Sequence, residues 1–250
     1  WQIANWTVSA LRLAAERRST SPFFIAAGFH KPHVPWFVPS SFLDRYPADV
    51  PPPRHPFWAI GAPPCAFSIG EDAAGTNFSI VRPIGARTAS TCRKLYYAAV
   101  SATDHNMGIV LSELEVLGFA NTTVVIVTGD HGWHLGEGDQ WAKYTTLEFG
   151  TRVPLIIRAP WIVPATAAVW RGDGSGARSP PVVRWANTFA ELADLFPTLA
   201  ELALPQAGLP EGVEGKSLAP ALRAPETAVV RTSAASQFAH LCGSIAAGFR

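Results

Sequence analysis

Three consecutive residues, Asp130, His131 and Gly132, have the types and the setting of a site that binds a cation. They follow the β-branched run 123–127, which is typical of a buried strand. In open α/β sheets, ligands bind at the carboxyl ends of strands, so a carboxylate on this glycine-flanked turn could hold a hard cation. An Asp that only caps the next turn would give the same pattern, and both interpretations stay open.

A second candidate group, His30, Lys31 and His33, lies directly after the apolar run 23–27. Two imidazoles and an ammonium group at one strand end could converge on an anion, and Lys143 is a fourth group that could add positive charge. A metal beside such a cationic clamp suits cleavage of a sulfate or phosphate ester, in which charge stabilisation supplies most of the catalysis. The simpler alternatives are a satisfied polar role for the histidines and a surface position for Lys143.

Hydrophobic periodicity predicts the elements that must position these residues. Helices are expected over residues 3–18, 90–117 and 189–202, and strands over 23–27, 123–127 and 154–157. This alternation predicts an α/β fold with a mainly parallel sheet flanked by helices. Gly118 stands where a C′ glycine ends the second helix, and Pro197 predicts a kink or a late start in the third.

The segments between these elements differ in character. Residues 34–87 are rich in proline and aromatic residues, which predicts a long ordered excursion that either packs through its own aromatic side chains or carries a site. Residues 163–181 show no period and are expected to form a loop.

Composition limits the functional classes. The 250 residues are 48% hydrophobic and 16% charged, with a net charge of +1, so we expect a globular protein without a basic field for nucleic acid. No apolar run approaches the roughly 20 residues that span a membrane. Sequons at Asn5, Asn77 and Asn121 slightly favour a glycoprotein of the secretory pathway, lysosomal or extracellular.

Residues 22–35 (PFFIAAGFHKPHVP) resemble a segment of the sulfatase family, in the form seen in iduronate-2-sulfatases. Residues 128–144, which contain DHGWHLGE and WAKY, are similar to the family's next motif, and residues 151–155 resemble the strand after it. Residues 194–199 (DLFPTL) and 215–220 (GKSLAP) resemble later family elements. Because the motifs stand in the family's order over most of the chain, the chain is identified as a member of this family.

The resemblance implies an alkaline-phosphatase-like α/β fold, a calcium ion and a formylglycine nucleophile made from a cysteine or serine. It implies a sulfuric ester hydrolase that removes sulfate from sulfated sugars or glycosaminoglycans. Carried over by position, Asp130 and His131 are metal ligands, and His30 and Lys143 are catalytic contacts to the sulfate ester. The aromatic residues that shape the pocket are Trp133, Trp141 and Tyr144.

The sequence also departs from the family pattern. Formylglycine forms in a C/S-x-P/A-x-R context, and none of Cys65, Cys92 and Cys242 stands in it. We therefore expect residues 1–250 to be the central and C-terminal part of a sulfatase domain, with N-terminal strands missing and a truncated C-terminal subdomain, inactive in isolation. The alternatives are a phosphodiesterase or phosphonate hydrolase of the same fold, and a non-catalytic carbohydrate-binding pseudo-enzyme.

Overall fold

The computed structural model describes residues 1–17, 21–63, 66–67, 83–162, 183–239 and 245–249. The chain divides into two compact units. The first contains residues 1–120 and 131–152, and the second contains residues 121–130 and 153–250. The loop predicted at 163–181 and the sequon at Asn77 lie outside the described residues.

Two long helices form the frame of the first unit. Helix α1 (Gln2–Glu16) and helix α3 (Ala86–Val116) pack against each other, and Arg12 and Glu113 join them through a 2.7 Å ion pair at the surface. Both helices were predicted from their apolar spacing. The short helix α2 (Ser40–Leu43) also packs on α3.

The end of α3 is fixed by a Schellman motif. Gly118 has a φ of +71°, a conformation that glycine adopts without steric cost. Its N–H donates to the carbonyl of Glu115 at 2.8 Å, and the N–H of Phe119 donates to the carbonyl of Leu114 at 2.9 Å. These two bonds satisfy carbonyls that the helix would leave without partners. The predicted C′ glycine is confirmed.

The excursion that follows the first predicted strand packs as expected, through its own aromatic residues. Trp36 and Phe67 are buried in one core cluster with Cys92 of α3, and Trp58 lies 5.3 Å from Phe67 between ring centroids. Buried polar contacts add to this packing, because the N–H of Val50 donates to the hydroxyl of α3 residue Ser90 at 2.8 Å. Residues 64–65 and 68–82 of the excursion lie outside the description.

The rest of the first unit is a small hairpin and a single helical turn. Strand β2 (His134–Leu135) pairs antiparallel with β3 (Trp141–Ala142), and a 3₁₀ turn at Glu137–Asp139 joins them. Helix α4 (Glu148–Thr151) follows. The hairpin buries Trp141 and Ala142 in the same core cluster as Trp36, so it is anchored by aromatic packing.

The second unit contains two antiparallel strand pairs and two helices. Strand β1 (Val125–Thr128) pairs with β4 (Leu155–Arg158), and β5 (Ala235–Ala239) pairs with β6 (Ile245–Phe249). A 3₁₀ turn at Leu192–Asp194 leads into α5 (Leu195–Ala203), and α6 is Ala219–Arg223. Helix α5 begins two residues before Pro197, which is the predicted late start. Within the described residues, no helix has the length and apolarity to cross a membrane.

Two expectations about strands do not hold for the described residues. The predicted parallel pairing is absent there, because all three strand pairs are antiparallel. Between β1 and β4 the chain contains a hairpin and the four-residue α4, rather than the long crossover helix that parallel pairing usually needs. Residues 23–27 are not a strand either: exposure alternates along them, with Phe24 78% exposed, and no described strand pairs with them.

Candidate functional site

In the turn after Phe29, two imidazole rings form hydrogen bonds to the same backbone carbonyl. His30 Nε2 lies 3.1 Å from the carbonyl oxygen of Val34, and His33 Nδ1 lies 2.8 Å from the same oxygen. Because a carbonyl oxygen can only accept, both ring nitrogens must carry protons. When the rings are neutral, His33 Nε2 is therefore an acceptor and so is His30 Nδ1. The two ring centroids lie 5.0 Å apart.

Lys31 holds this turn instead of joining a cationic clamp. Its ammonium group donates to the carbonyls of His33 and Pro35, the former at 3.2 Å. The hydroxyl of Thr103 on α3 donates to the Lys31 carbonyl at 3.0 Å, which ties the turn to the long helix. Burial lowers the pKa of Lys31 below its ordinary value. Of the three cationic residues expected to converge on an anion, this one is a structural residue.

Lys143 reaches the same turn from the far end of the hairpin. Its Nζ donates to His33 Nε2 at 2.8 Å and lies 5.8 Å from the ring centroids of Trp133 and Tyr144. These distances fall within the range of cation–π contacts. Among the described residues, Lys143 has no carboxylate partner. The structure thus brings Lys143, His33 and His30 together in one cluster, which carries the positive charge of Lys143.

Local backbone geometry directs Lys143 toward the turn. Ala142 is fully buried and has a φ of +65°, so the chain leaves β3 in the left-handed region immediately before the lysine. After the lysine, the N–H of Thr145 donates to the Lys143 carbonyl at 2.6 Å. The hydroxyl of Thr145 shares a 2.8 Å hydrogen bond with His134 Nε2, which ties the loop back to β2. Burial lowers the pKa of His134 to about 4, so this imidazole is neutral at pH 7.

Two glycines allow the turn after Asp130 and the loop after Lys143 to touch. The N–H of Gly132 donates to the carbonyl of Gly150 at 2.9 Å. A Cβ on Gly132 would lie 2.0 Å from the carbonyl oxygen of Phe149, and one on Gly150 would lie 2.7 Å from the hydroxyl of Thr145. Side chains at either position would force these segments apart.

The remaining predicted site residues have different surroundings. His131 is half-buried, and its ring centroid lies 6.4 Å from that of Trp133. Trp133 is buried, and its Nε1 has no hydrogen-bond partner among the described residues. Trp141, expected to shape the pocket, is only 2% exposed and packs in the core. Asp130 belongs to the second unit, where it is exposed and follows the carboxyl end of β1 as predicted.

The described residues do not by themselves fit the calcium ion that the resemblance implies. Calcium takes six to eight oxygen ligands. Within the described ranges there is no group of three or more His, Cys, Asp or Glu side chains that could hold a metal ion. Asp130 is the only carboxylate among the predicted site residues, so a calcium ion bound there would need most of its oxygen ligands from other residues.

One residue of the cluster, His33, could not be singled out from the sequence. A lone histidine is more often a satisfied polar side chain, and His30 is closer to the predicted strand end. The available signal was the H-K-P-H repeat itself, because two histidines three residues apart around a proline turn can meet the same carbonyl. The partner of His33 is 110 residues away in the sequence, so no local pattern reveals it.

A family model for sulfatases matches residues 4–204. The chain belongs to the sulfatase family. It is 37% identical over 223 residues to iduronate 2-sulfatase of Mus musculus, and the match covers 82% of this chain and 39% of that protein. It is 36% identical over 220 residues to iduronate 2-sulfatase of Homo sapiens, covering 79% of this chain and 39% of that protein. This sulfatase chain therefore spans about two fifths of the length of these relatives.

Solved structures support the same fold for the sulfatase chain. A protein in complex with its substrate D-glucosamine-2-N,6-O-disulfate superposes with a TM-score of 0.73 at 19% identity, covering 99% of this chain and 58% of that one. A phosphonate monoester hydrolase from Silicibacter pomeroyi gives a TM-score of 0.66 at 24% identity, covering 95% and 44%. At these identities the likeness concerns the fold alone, and it confirms the predicted sulfatase fold.

Proposed function

We propose that the whole protein containing this chain hydrolyses sulfate esters of sulfated sugars. The observation that carries the proposal is the position of Lys143, whose ammonium group has a neutral acceptor, His33, and no carboxylate partner among the described residues. An anionic ester would supply the missing negative charge. The sulfatase motifs around the cluster, and the relatives named for sulfated sugars, support the choice of sulfate.

The hydrogen-bonding capacity of Lys143 fits an anion. An ammonium group has three N–H donors, and the hydrogen bond to His33 uses one of them. The aromatic rings of Trp133 and Tyr144 lie within cation–π range of the group and do not neutralise its charge. Charge-assisted hydrogen bonds to an anion are about twice as strong as neutral ones, so two remaining donors would bind sulfate oxygens well.

His30 could move a proton in the same site. Its Nε2 proton is held by the Val34 carbonyl, which fixes the ring and leaves Nδ1 directed elsewhere. In the protonated imidazolium, Nδ1–H would donate its proton to the leaving oxygen of the ester as the S–O bond breaks, while the sulfuryl group would pass to a nucleophile of the whole protein, for which the family resemblance implies a formylglycine. The side chain is exposed, so a substrate can reach it. This role makes His30 a general acid and Lys143 a group that binds the sulfate.

The first test compares ester classes. The whole protein would be assayed with a chromogenic aryl sulfate, a phosphonate monoester and a phosphodiester of the same leaving group. We expect the aryl sulfate to have the highest kcat/KM, and His30→Gln to lower it by about a hundredfold, within the usual range for a general acid. His55→Gln, an exposed histidine outside the cluster, is the matched control and should stay at the wild-type rate. A preference for the phosphonate would favour the phosphonate hydrolase alternative, and turnover of none would favour the pseudo-enzyme.

We also propose passage through the secretory pathway, which two sequons can test. Asn121 is exposed in the turn between α3 and β1. Asn5 lies within α1, and the hydroxyl of its sequon residue Thr7 is buried and donates to the Ile3 carbonyl at 2.8 Å. Peptide mass spectrometry after expression in a eukaryotic secretory host should find glycan on Asn121 and little on Asn5. Unmodified Asn121 would contradict the proposed route.

A further inference from the structure

We infer that His33 is a positioning residue, whose Nε2 acceptor holds the Lys143 ammonium group where an anion can bind it. The inference rests on the proposed function, because it concerns the same site. It assigns to His33 a role that acts through another side chain and needs no contact with the substrate.

The hydrogen bonds of His33 run in one direction. Nδ1 donates to the Val34 carbonyl at 2.8 Å, and this bond fixes the tautomer that leaves Nε2 with a lone pair. Lys143 Nζ then donates to that lone pair at 2.8 Å. The Val34 carbonyl therefore fixes the tautomer of His33, and in that tautomer Nε2 can accept a hydrogen bond from an ammonium group.

The position of the imidazole is itself fixed. The ring lies edge-on to Trp133, with centroids 5.5 Å apart, and 5.0 Å from the ring of His30. The carbonyls of His33 and Pro35 accept from Lys31, and the turn is tied to α3 through Thr103. The acceptor for Lys143 thus stands on a part of the chain that cannot easily move.

Lys143 needs such an acceptor because its side chain is long. Four methylene groups give lysine many rotamers, and fixing one of them costs conformational entropy. The rings of Trp133 and Tyr144 lie at 5.8 Å and attract the charge without selecting one direction. A hydrogen bond at 2.8 Å does select a direction, so the Nζ atom is placed before the anion arrives. A neutral acceptor achieves this without cancelling the positive charge, as a carboxylate would.

Two amide variants separate the hydrogen bonds of His33. The amide of His33→Asn ends near the Nδ1 position, so it can keep the Val34 bond but does not reach Lys143. The amide of His33→Gln ends near the Nε2 position, so it can accept from Lys143 but gives up the Val34 bond. Both side chains are polar and smaller than or similar in size to histidine, and thermal melts would verify that each variant folds. His55→Gln is the control for loss of a histidine elsewhere.

The readout is the reactivity of Lys143 in the full chain. The rate of acylation at Lys143 by an amine-reactive reagent would be followed by peptide mass spectrometry, with and without inorganic sulfate. We expect His33→Asn to be acylated faster and to need about tenfold more sulfate for half-protection, the loss expected for one hydrogen bond to a charged group. His33→Gln should return both quantities to within about threefold of wild type, since it restores the acceptor.

The outcomes separate the two proposals. If His33→Asn is acylated and protected like wild type, or if His33→Gln behaves like His33→Asn, the positioning role is wrong. If sulfate protects Lys143 in no variant while the acylation rates still differ as expected, the positioning role stands and sulfate binding at Lys143 fails. If His33→Asn does not fold, His33→Gln against wild type decides, because an intact acceptor must then preserve the wild-type acylation rate.

Discussion

The two units of the molecule each contain a charged group in a polar network, and the networks differ in completeness. In the second unit, Asp194 is fully buried and accepts from Arg231 Nη2 at 2.7 Å and Nε at 2.8 Å. The backbone N–H groups of Lys216 and Glu191 donate to it at 2.7 and 2.9 Å. In the first unit, Lys143 has one neutral partner, His33, and no described carboxylate.

We propose that completeness of pairing separates the structural charge of Asp194 from a ligand-binding charge at Lys143. Both oxygens of Asp194 are occupied by donors from three parts of the second unit, so no capacity remains for a ligand. Within the described part of the chain, the Lys143 ammonium group has one hydrogen-bond partner, so two of its N–H donors are available to solvent or a ligand.

The largest effect should follow Asp194→Ala. The change leaves the largely buried Arg231 with Glu191, at 3.2 Å, as its remaining carboxylate partner, and it removes the acceptor of two backbone N–H groups. Breaking a buried pair from one side typically costs about 3–5 kcal/mol, and we expect urea unfolding to report about 3 kcal/mol. The matched control is Arg223→Ala, which breaks the exposed pair with Glu201 and should cost less than about 1 kcal/mol. Equal costs would mean that the Asp194 network is not special.

A substitution at a close backbone approach should have the next largest effect. Gly132→Ala places a Cβ 2.0 Å from the carbonyl oxygen of Phe149, so the loop after Lys143 must shift. We expect a loss of about 2–3 kcal/mol in free energy of unfolding, as in overpacked sites. Gly108→Ala in α3 meets nothing within 4 Å and should instead stabilise the protein by about 0.5–1 kcal/mol. A neutral Gly132→Ala would contradict the tight contact between the two site segments.

The two units should also respond to acid in different pH windows. Burial lowers the pKa of His134 from 6.5 to about 4, so the unfolded chain binds more protons than the folded one between these values. The stability that neutral His134 contributes is complete above pH 6.5 and is lost as the pH falls to about 4. We expect roughly 2–3 kcal/mol of unfolding free energy to disappear between pH 7 and pH 4, and less in His134→Gln. An identical pH slope in the variant would rule out His134 as the source.

Asp194 affects the stability of the fold at lower pH than His134 does. Burial by itself would raise its pKa, but the hydrogen bonds from Arg231, Lys216 and Glu191 outweigh burial and hold the pKa below the ordinary value for an Asp. The stability from this group is present above the unfolded pKa of about 3.9 and is lost as the pH falls through the still lower folded value. Asp194→Asn should therefore remove a loss of stability that the wild type undergoes below about pH 4. Urea midpoints measured from pH 5 to pH 2.5 would check this.

The sequence predicted long, strongly periodic elements better than their pairing. Helices α1 and α3 and strands β1 and β4 were expected within a few residues, because apolar spacing and β-branched runs are local signals. Residues 23–27 are as apolar as a buried strand, but no described strand pairs with them. Strand pairing depends on segments far away in the sequence, so apolar character alone does not predict it. The hairpin of β2 and β3 was not predicted, because each strand has only two residues and the hairpin is stabilised by the buried Trp141.

The site was predictable where a motif carries it and unpredictable where one side chain acts on another. Lys143 and His30 were carried over from a family resemblance, and the structure places both beside His33. Lys31 lies in the same motif as His30, but its ammonium group donates to carbonyls of its own turn. The sequence does not show these hydrogen bonds. Trp141 resembled a pocket residue because of its neighbours in sequence, although packing places it in the core.

The most direct test of the account compares Lys143→Met with Asp194→Asn in the whole protein, each measured for hydrolysis of a chromogenic aryl sulfate and for Tm. Lys143→Met should lower kcat/KM by about ten- to a hundredfold or more, the loss of one or two charge-assisted hydrogen bonds, while Tm stays equal or rises slightly. Asp194→Asn should lower Tm and leave kcat/KM of the folded protein near wild type. Near-wild-type turnover in Lys143→Met, or an activity loss that follows a collapse of its Tm, would contradict a ligand-binding role for the incompletely paired charge.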